Sequence, residues 1–188
     1  MDALLSAFVA AALAEWGDRT QLFVIVLAAR YCRPGPILAG LALAALANSL
    51  LAAIGGTFVH DLIETRALAL LVALALLFAG FGSLLRRTPP DMGAGWRTPA
   101  FITAAICLFL LEFGDKTQFL TFALAGRFDS VALAAAGATL GVMAANVPAA
   151  LLGARFADTV PIRPIRYAIA ALFLVAGFIV AVGALELT

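Results

Sequence analysis

The chain has 188 residues, of which 64% are apolar and only 12% charged, with a net charge of +1 and a mean hydropathy of +1.09. A water-soluble domain carries roughly a quarter of its residues as charges, and a surface this apolar would leave large patches exposed to water, so the composition places the chain in lipid. The near-neutral balance, with no charged tail, excludes a nucleic-acid partner. Two cysteines, Cys32 and Cys107, with no paired spacing, exclude a thiolate metal site or a disulfide framework.

Apolar stretches of spanning length are expected at 3–29, 36–59, 66–85, 99–125, 130–154 and 164–185. Each is near or above the ~20 residues that cross about 30 Å of hydrocarbon. The segment Leu4 to Ala14 resembles a signal-peptide core, but Asp2 precedes it with no Lys or Arg, and the residues that follow it recur inside the chain. It is therefore read as the first half of a spanning helix. Breakers separate the spans at Arg33-Pro34-Gly35-Pro36, at Thr88-Pro89-Pro90-Asp91 and between Pro161 and Pro164. The fold class expected is an all-α membrane protein, since backbone groups in lipid must be satisfied internally and helix formers dominate. Cys107 is expected to be a small apolar residue within a helix.

The two halves repeat. Residues 15–31 (EWGDRTQLFVIVLAARY) match 112–128 (EFGDKTQFLTFALAGRF) with 8 identities in 17 positions at an offset of 97. The same offset aligns Gly40 with Gly137 and Ala79-Gly80-Phe81 with Ala176-Gly177-Phe178. Residues 1–188 are thus read as one membrane domain of six transmembrane helices, with a first three-helix repeat over 1–87 and a second over 98–188. An odd number of spans per unit makes the second copy enter from the opposite side, an inverted repeat of the kind that places a transport site near the midplane. Basic residues orient the chain. The first, third and fifth connections hold Arg30, Arg33, Arg86, Arg87, Arg97, Arg155, Arg163 and Arg166, and the second and fourth only Arg66 and Arg127. The first group is expected in the cytoplasm, with both termini outside.

Six charged residues stand near the middle of expected spans: Glu15, Asp18, Arg19, Glu112, Asp115 and Lys116. At about 2.5–3.5 kcal/mol each at the bilayer centre, they would cost about 15–20 kcal/mol uncompensated, more than a domain's typical stability. They must face one another or a wet cavity. On a continuous helix Glu15, Asp18 and Arg19 share one face, as do Glu112, Asp115 and Lys116. Thr20 and Gln21 point elsewhere unless Gly17 lets the backbone bend. Four carboxylates and two cations leave −2, which a divalent ion or two protons would neutralise. Carboxylate, amide, hydroxyl and carbonyl oxygens are hard ligands suited to Ca²⁺, Mn²⁺ or Mg²⁺, and crowded carboxylates can carry protons in alternation with metal. A purely structural alternative, in which each motif closes as a Glu–basic ion pair, leaves Asp18 and Asp115 unexplained and gives no reason for Thr-Gln to recur.

Asn48 and Asn146 are further polar residues within spans, at an offset of 98 rather than 97. They are candidates for amide ligands or for interhelical hydrogen bonds. His60, beside Asp61, reads as a solvated residue in a connection, and Trp16 and Phe113 as candidate pathway walls.

The duplicated Glu-x-Gly-Asp-(Lys/Arg)-(Ser/Thr) signature, one copy per three-helix unit, resembles the calcium:proton antiporter-2 family, which includes Golgi manganese/calcium transporters and bacterial manganese exporters. The resemblance covers essentially the whole chain. It implies that Glu15, Asp18, Glu112 and Asp115 bind the cation and exchange protons, supported by Thr20, Thr117, Gln21 and Gln118, and that Mn²⁺ or Ca²⁺ is exported from the cytoplasm in exchange for protons. The short leader and central loop point, by the same resemblance, to a bacterial plasma-membrane protein. No resident cofactor is expected, because the metal is cargo; the partners are the bilayer, the cation and protons, with homo-oligomerisation open. Two other readings remain at this point: a membrane enzyme acting on a polyprenyl phosphate, which would want more Ser, His and Arg near the carboxylates, and a passive cation channel.

Overall fold

In the computed structural model, which describes residues 1–85 and 97–185, the chain is entirely helical among the described residues. The helices are α1 (Asp2–Glu15), α2 (Arg19–Tyr31), α3 (Pro34–His60), α4 (Thr65–Leu84), α5 (Ala100–Glu112), α6 (Lys116–Phe128), α7 (Val131–Leu152), α8 (Arg155–Thr159) and α9 (Ile162–Ala184). Arg86, Arg87 and the Thr88–Asp91 breaker lie outside the described residues. Among the described residues four helices, α3, α4, α7 and α9, are long and apolar enough to cross a membrane. The first and fourth expected spans are each divided: α1 and α2 have 14 and 13 residues, and α5 and α6 have 13 each. At 1.5 Å per residue each half is about 20 Å long, too short to cross alone.

The two divisions share one conformation. Trp16 is extended, Gly17 has φ +71°, and Asp18 is extended again as N-cap of α2. Phe113, Gly114 (φ +75°) and Asp115 repeat this before α6. A left-handed residue between two extended ones cannot continue a helix, and glycine adopts it without steric cost. The bend anticipated at Gly17 is therefore a full break.

The offset of 97 runs through the architecture: α2, α3 and α4 begin 97 residues before α6, α7 and α9. Packing is reciprocal. Gly40 of α3 lies so close to α5 that an added Cβ would stand 2.7 Å from the Phe101 carbonyl oxygen, and Gly137 of α7 would meet the Leu4 oxygen of α1 at 2.2 Å. Gly80 of α4 abuts Leu174 of α9, and Gly177 of α9 abuts Leu77 of α4. Residue i of one half meets residue j of the other and the reverse also holds, the mark of an isologous pairing. Small residues permit this approach, as in membrane helix pairs.

The interior is built mainly from alanine, with a polar cluster at its centre, while large apolar side chains such as Leu43, Ile54, Phe58, Leu74, Phe81 and Phe178 point outward. That distribution suits a solvent of lipid tails, and the protein is a multi-pass helical membrane protein. Cys107 lies half-buried in α5. His60 differs from its expected solvated state: its Nδ1–H donates to the Gly126 carbonyl at 2.7 Å, tying the end of α3 to α6.

Candidate cation site

Both helix breaks converge on the polar cluster. Glu15 ends α1 and Glu112 ends α5; Asp18 and Asp115 are the N-caps of α2 and α6. Neither aspartate spends its side chain on capping its own helix. That task falls to the glutamines. Gln21 Oε1 accepts the Gly17 N–H at 2.9 Å and Gln118 Oε1 accepts the Gly114 N–H at 2.7 Å. Their amide groups then donate across to the partner unit, Gln21 to the Ala145 carbonyl (2.8 Å) and Gln118 to Asn48 Oδ1 (3.2 Å). This resembles a capping box reaching one residue further back, and it explains why Gln recurs with each motif.

Three carboxylates come together. One ligand oxygen each from Glu15, Asp18 and Asp115 lies within 4.8 Å of the other two. Oxygens coordinating a hard divalent ion at about 2.0–2.6 Å can stand up to about 4–5 Å apart, so the trio fits such an ion with little movement. Glu15 is fully buried and is held by the other unit: Thr117 Oγ1 donates to Oε1 at 2.7 Å, and Asn146 Nδ2 reaches Oε2 at 3.4 Å. Glu112, also buried, is outside the trio, and its Oε1 has no hydrogen-bond partner among the described residues. Thr20 is buried too.

The basic residues part company. Lys116 is buried, its Nζ 2.7 Å from Asp18 Oδ2 and 3.9 Å from Asp115 Oδ2, whereas Arg19 is exposed. This corrects the expectation that Arg19 shares a helix face with Glu15 and Asp18. The break rotates α2 away from α1, and Arg19 as the first residue of α2 turns outward. Of the six charged motif residues, four carboxylates and one cation thus turn inward, formally −3 rather than −2, and Arg166 of α9, also buried, lies against the Gly17 break beside them.

The asparagines are not equivalent. Gln21 bonds the carbonyl of Ala145 and Gln118 that of Asn48, at 3.5 Å, so Asn48 corresponds to Ala145 and the counterpart of Asn146 is Ser49. Asn48 Nδ2 donates to the Phe109 carbonyl at 3.0 Å. Asn146 donates to the Val142 carbonyl at 2.9 Å, and its Oδ1 is buried with no hydrogen-bond partner among the described residues. Ser49, itself buried, escaped the sequence reading, although a strict offset of 97 aligns it with Asn146.

The site is open on one side. A cavity of about 620 Å³ is lined by Phe113, Gly114, Asp115 and Gln118, with Phe78 and Phe122 among its walls. A Cβ on Gly114 would meet nothing within 4 Å, while one on Gly17 would meet Ile162 at 2.8 Å and Arg166 at 3.3 Å. Side-chain exposure follows, 18% for Asp115 against 2% for Asp18. Of the two aromatic neighbours, Phe113 lines the cavity and Trp16 packs against Phe156 with ring centroids 6.1 Å apart.

Buried carboxylates from two broken helices, open to one side of a lipid-facing bundle, are the equipment of a membrane cation transporter. The family model for the divalent cation/proton antiporter GDT1 matches residues 3–91 and 100–187, and the chain belongs to that family. A protein of Vibrio cholerae serotype O1 described as "Putative manganese exporter" is 39% identical over 176 residues, covering 93% of this chain and 88% of that protein. No solved structure matches the chain. The family is one of transporters, which sets aside the membrane-enzyme reading.

Proposed function

We propose that the protein exports Mn²⁺ from the cytoplasm of a bacterial cell across the plasma membrane in exchange for protons, with Ca²⁺ as the alternative cargo. The observation that carries this reading is the trio of Glu15, Asp18 and Asp115, whose oxygens from both halves lie within 4.8 Å of one another. Their hardness suits Mn²⁺ and Ca²⁺ alike; the likeness to the Vibrio cholerae protein favours manganese. Asn146 Oδ1, buried beside Glu15 and without a hydrogen-bond partner among the described residues, supplies a fourth oxygen. Glu112, outside the trio, serves the proton side of the exchange.

In this reading α1 with α2, and α5 with α6, each cross the membrane as one broken helix, giving six crossings in two inverted units with both termini outside. The half-helix ends place partial negative charge from α1 and α5, and partial positive charge from α2 and α6, at the midplane. Transport exchanges the roles of the two breaks. The Gly114 side is open here while Ile162 and Arg166 cover Gly17; in the other state Gly17 opens and Gly114 is covered. The formal −3 of the inward-facing motif residues is neutralised by a divalent ion with one proton, or by three protons, so each cation exchanges for two protons.

Ion uptake into proteoliposomes under an imposed pH gradient, comparing Mn²⁺, Ca²⁺ and Mg²⁺, tests this. Mn²⁺ moving uphill against its own gradient is the expected result. No response to any of the three ions would overturn the proposal.

A further inference from the structure

The sequence contains a single lysine against eleven arginines, and that lysine is residue 116. Every other cationic side chain that the sequence could have placed here is an arginine, including Arg19 at the equivalent position of the first motif, which is exposed. Lys116 instead enters the carboxylate cluster. Its stem passes Gly82 of α4, where a Cβ would stand 3.7 Å from Lys116 Cδ; the equivalent position of α9 carries Ile179. Its ammonium group lies 2.7 Å from Asp18 Oδ2 and 3.9 Å from Asp115 Oδ2. Those two residues supply two of the three oxygens that fit the cargo.

We infer that Lys116 is a tethered competitor: its ammonium group occupies the cargo's place when the site is empty and must swing aside for the divalent ion to bind. This rests on the proposed cation site. A divalent ion needs ligand oxygens at about 2.0–2.6 Å, whereas the ammonium group already takes Asp18 Oδ2 as a hydrogen-bond acceptor. Two cations sharing one buried carboxylate repel strongly in a low dielectric, so the two occupancies exclude each other. The compact head of lysine, on a flexible four-carbon stem, can leave and return; the broad planar guanidinium of arginine forks onto a carboxylate and holds it. The competitor keeps the empty site from standing as a bare cluster of negative charge. It also weakens cargo binding enough for release. An ion pair that merely positions Asp18 would act in the opposite sense, since its removal would disorder a ligand and weaken binding.

The test is Mn²⁺ affinity of the full-length protein in nanodiscs at fixed pH, for wild type, Lys116→Met, Lys116→Gln and Lys116→Arg, each checked for monodispersity. Binding at least tenfold tighter in the Met and Gln variants, with slower transport turnover, is expected, while the Arg variant stays at or below wild-type affinity. The wild-type protein gives an independent readout, because amine acylation at its one lysine, read by peptide mass, should speed up when Mn²⁺ is added. Unchanged or weaker Mn²⁺ binding in folded Lys116→Met or Lys116→Gln overturns the inference; if neither variant folds, an acylation rate indifferent to Mn²⁺ does so. Absence of Mn²⁺ binding to the wild type would instead count against the cation site itself.

Discussion

Thr117 of α6 donates a 2.7 Å hydrogen bond to Glu15 Oε1 at the end of α1, joining residues 102 positions apart in the buried centre of the protein. One unit thereby orients the carboxylate that the other contributes.

Removing that donor leaves a buried carboxylate oxygen short of a partner. Hydrogen bonds to charged groups contribute about 1.5–3 kcal/mol, so Thr117→Val should weaken Mn²⁺ binding by roughly ten- to a hundredfold. Thr117→Ser, which keeps the hydroxyl, should bind nearly as wild type. Titration of both variants with Mn²⁺ checks this, and equal affinity in Val and Ser would show that the bond does not orient the ligand.

The two break glycines should differ in their tolerance of alanine. Both have positive φ, which costs a residue with a Cβ about 1–2 kcal/mol. Gly114→Ala meets open space and should lose only that. Gly17→Ala also drives a methyl against Ile162 and Arg166, and overpacking adds about 1–3 kcal/mol. Thermal unfolding in detergent should rank wild type above Gly114→Ala above Gly17→Ala. The reverse order of the two variants would refute the one-sided closure.

The reciprocal contacts at Gly40 and Gly137 make a paired prediction. Alanine at either position would press on a neighbouring helix backbone, the Phe101 or Leu4 oxygen, and the overpacking loss of up to about 3 kcal/mol exceeds the ~1 kcal/mol that alanine gains over glycine in a helix. Both variants should melt below wild type, while Gly35→Ala and Gly183→Ala, helical positions with nothing within 4 Å, should melt at or above it, by up to about 1 kcal/mol. Loss in only one of the pair would break the reciprocity.

Much of this was legible in the sequence, because duplication writes itself as a constant offset and charge in an apolar chain cannot hide. The offset of 97 taken from three segments also separates the starts of α2, α3 and α4 from those of α6, α7 and α9. What was not legible follows from the breaks. An unbroken helix puts Arg19 beside Glu15; a left-handed Gly17 between them sends it outward, and nothing in Arg19 or Lys116 themselves says which one turns in. That is decided by neighbours far along the chain, since α4 packs against α6 with Gly82 beside the lysine stem, while α9 sets Ile162 and Arg166 against Gly17. The role of Gln21 and Gln118 was likewise hidden, because a side chain that looks misdirected on a straight helix is well placed to cap a broken one.

Whether carboxylates from both units form one site exchanging a divalent cation for protons is decided by Mn²⁺ and proton fluxes recorded together in the same proteoliposomes. Wild type, Asp18→Asn and Asp115→Asn are compared. In the wild type two protons should move per Mn²⁺, with no dependence on membrane potential, and both fluxes should be lost in each variant while the protein remains folded. Wild-type flux in Asp18→Asn or Asp115→Asn, or Mn²⁺ movement with no proton movement, would contradict a shared exchange site.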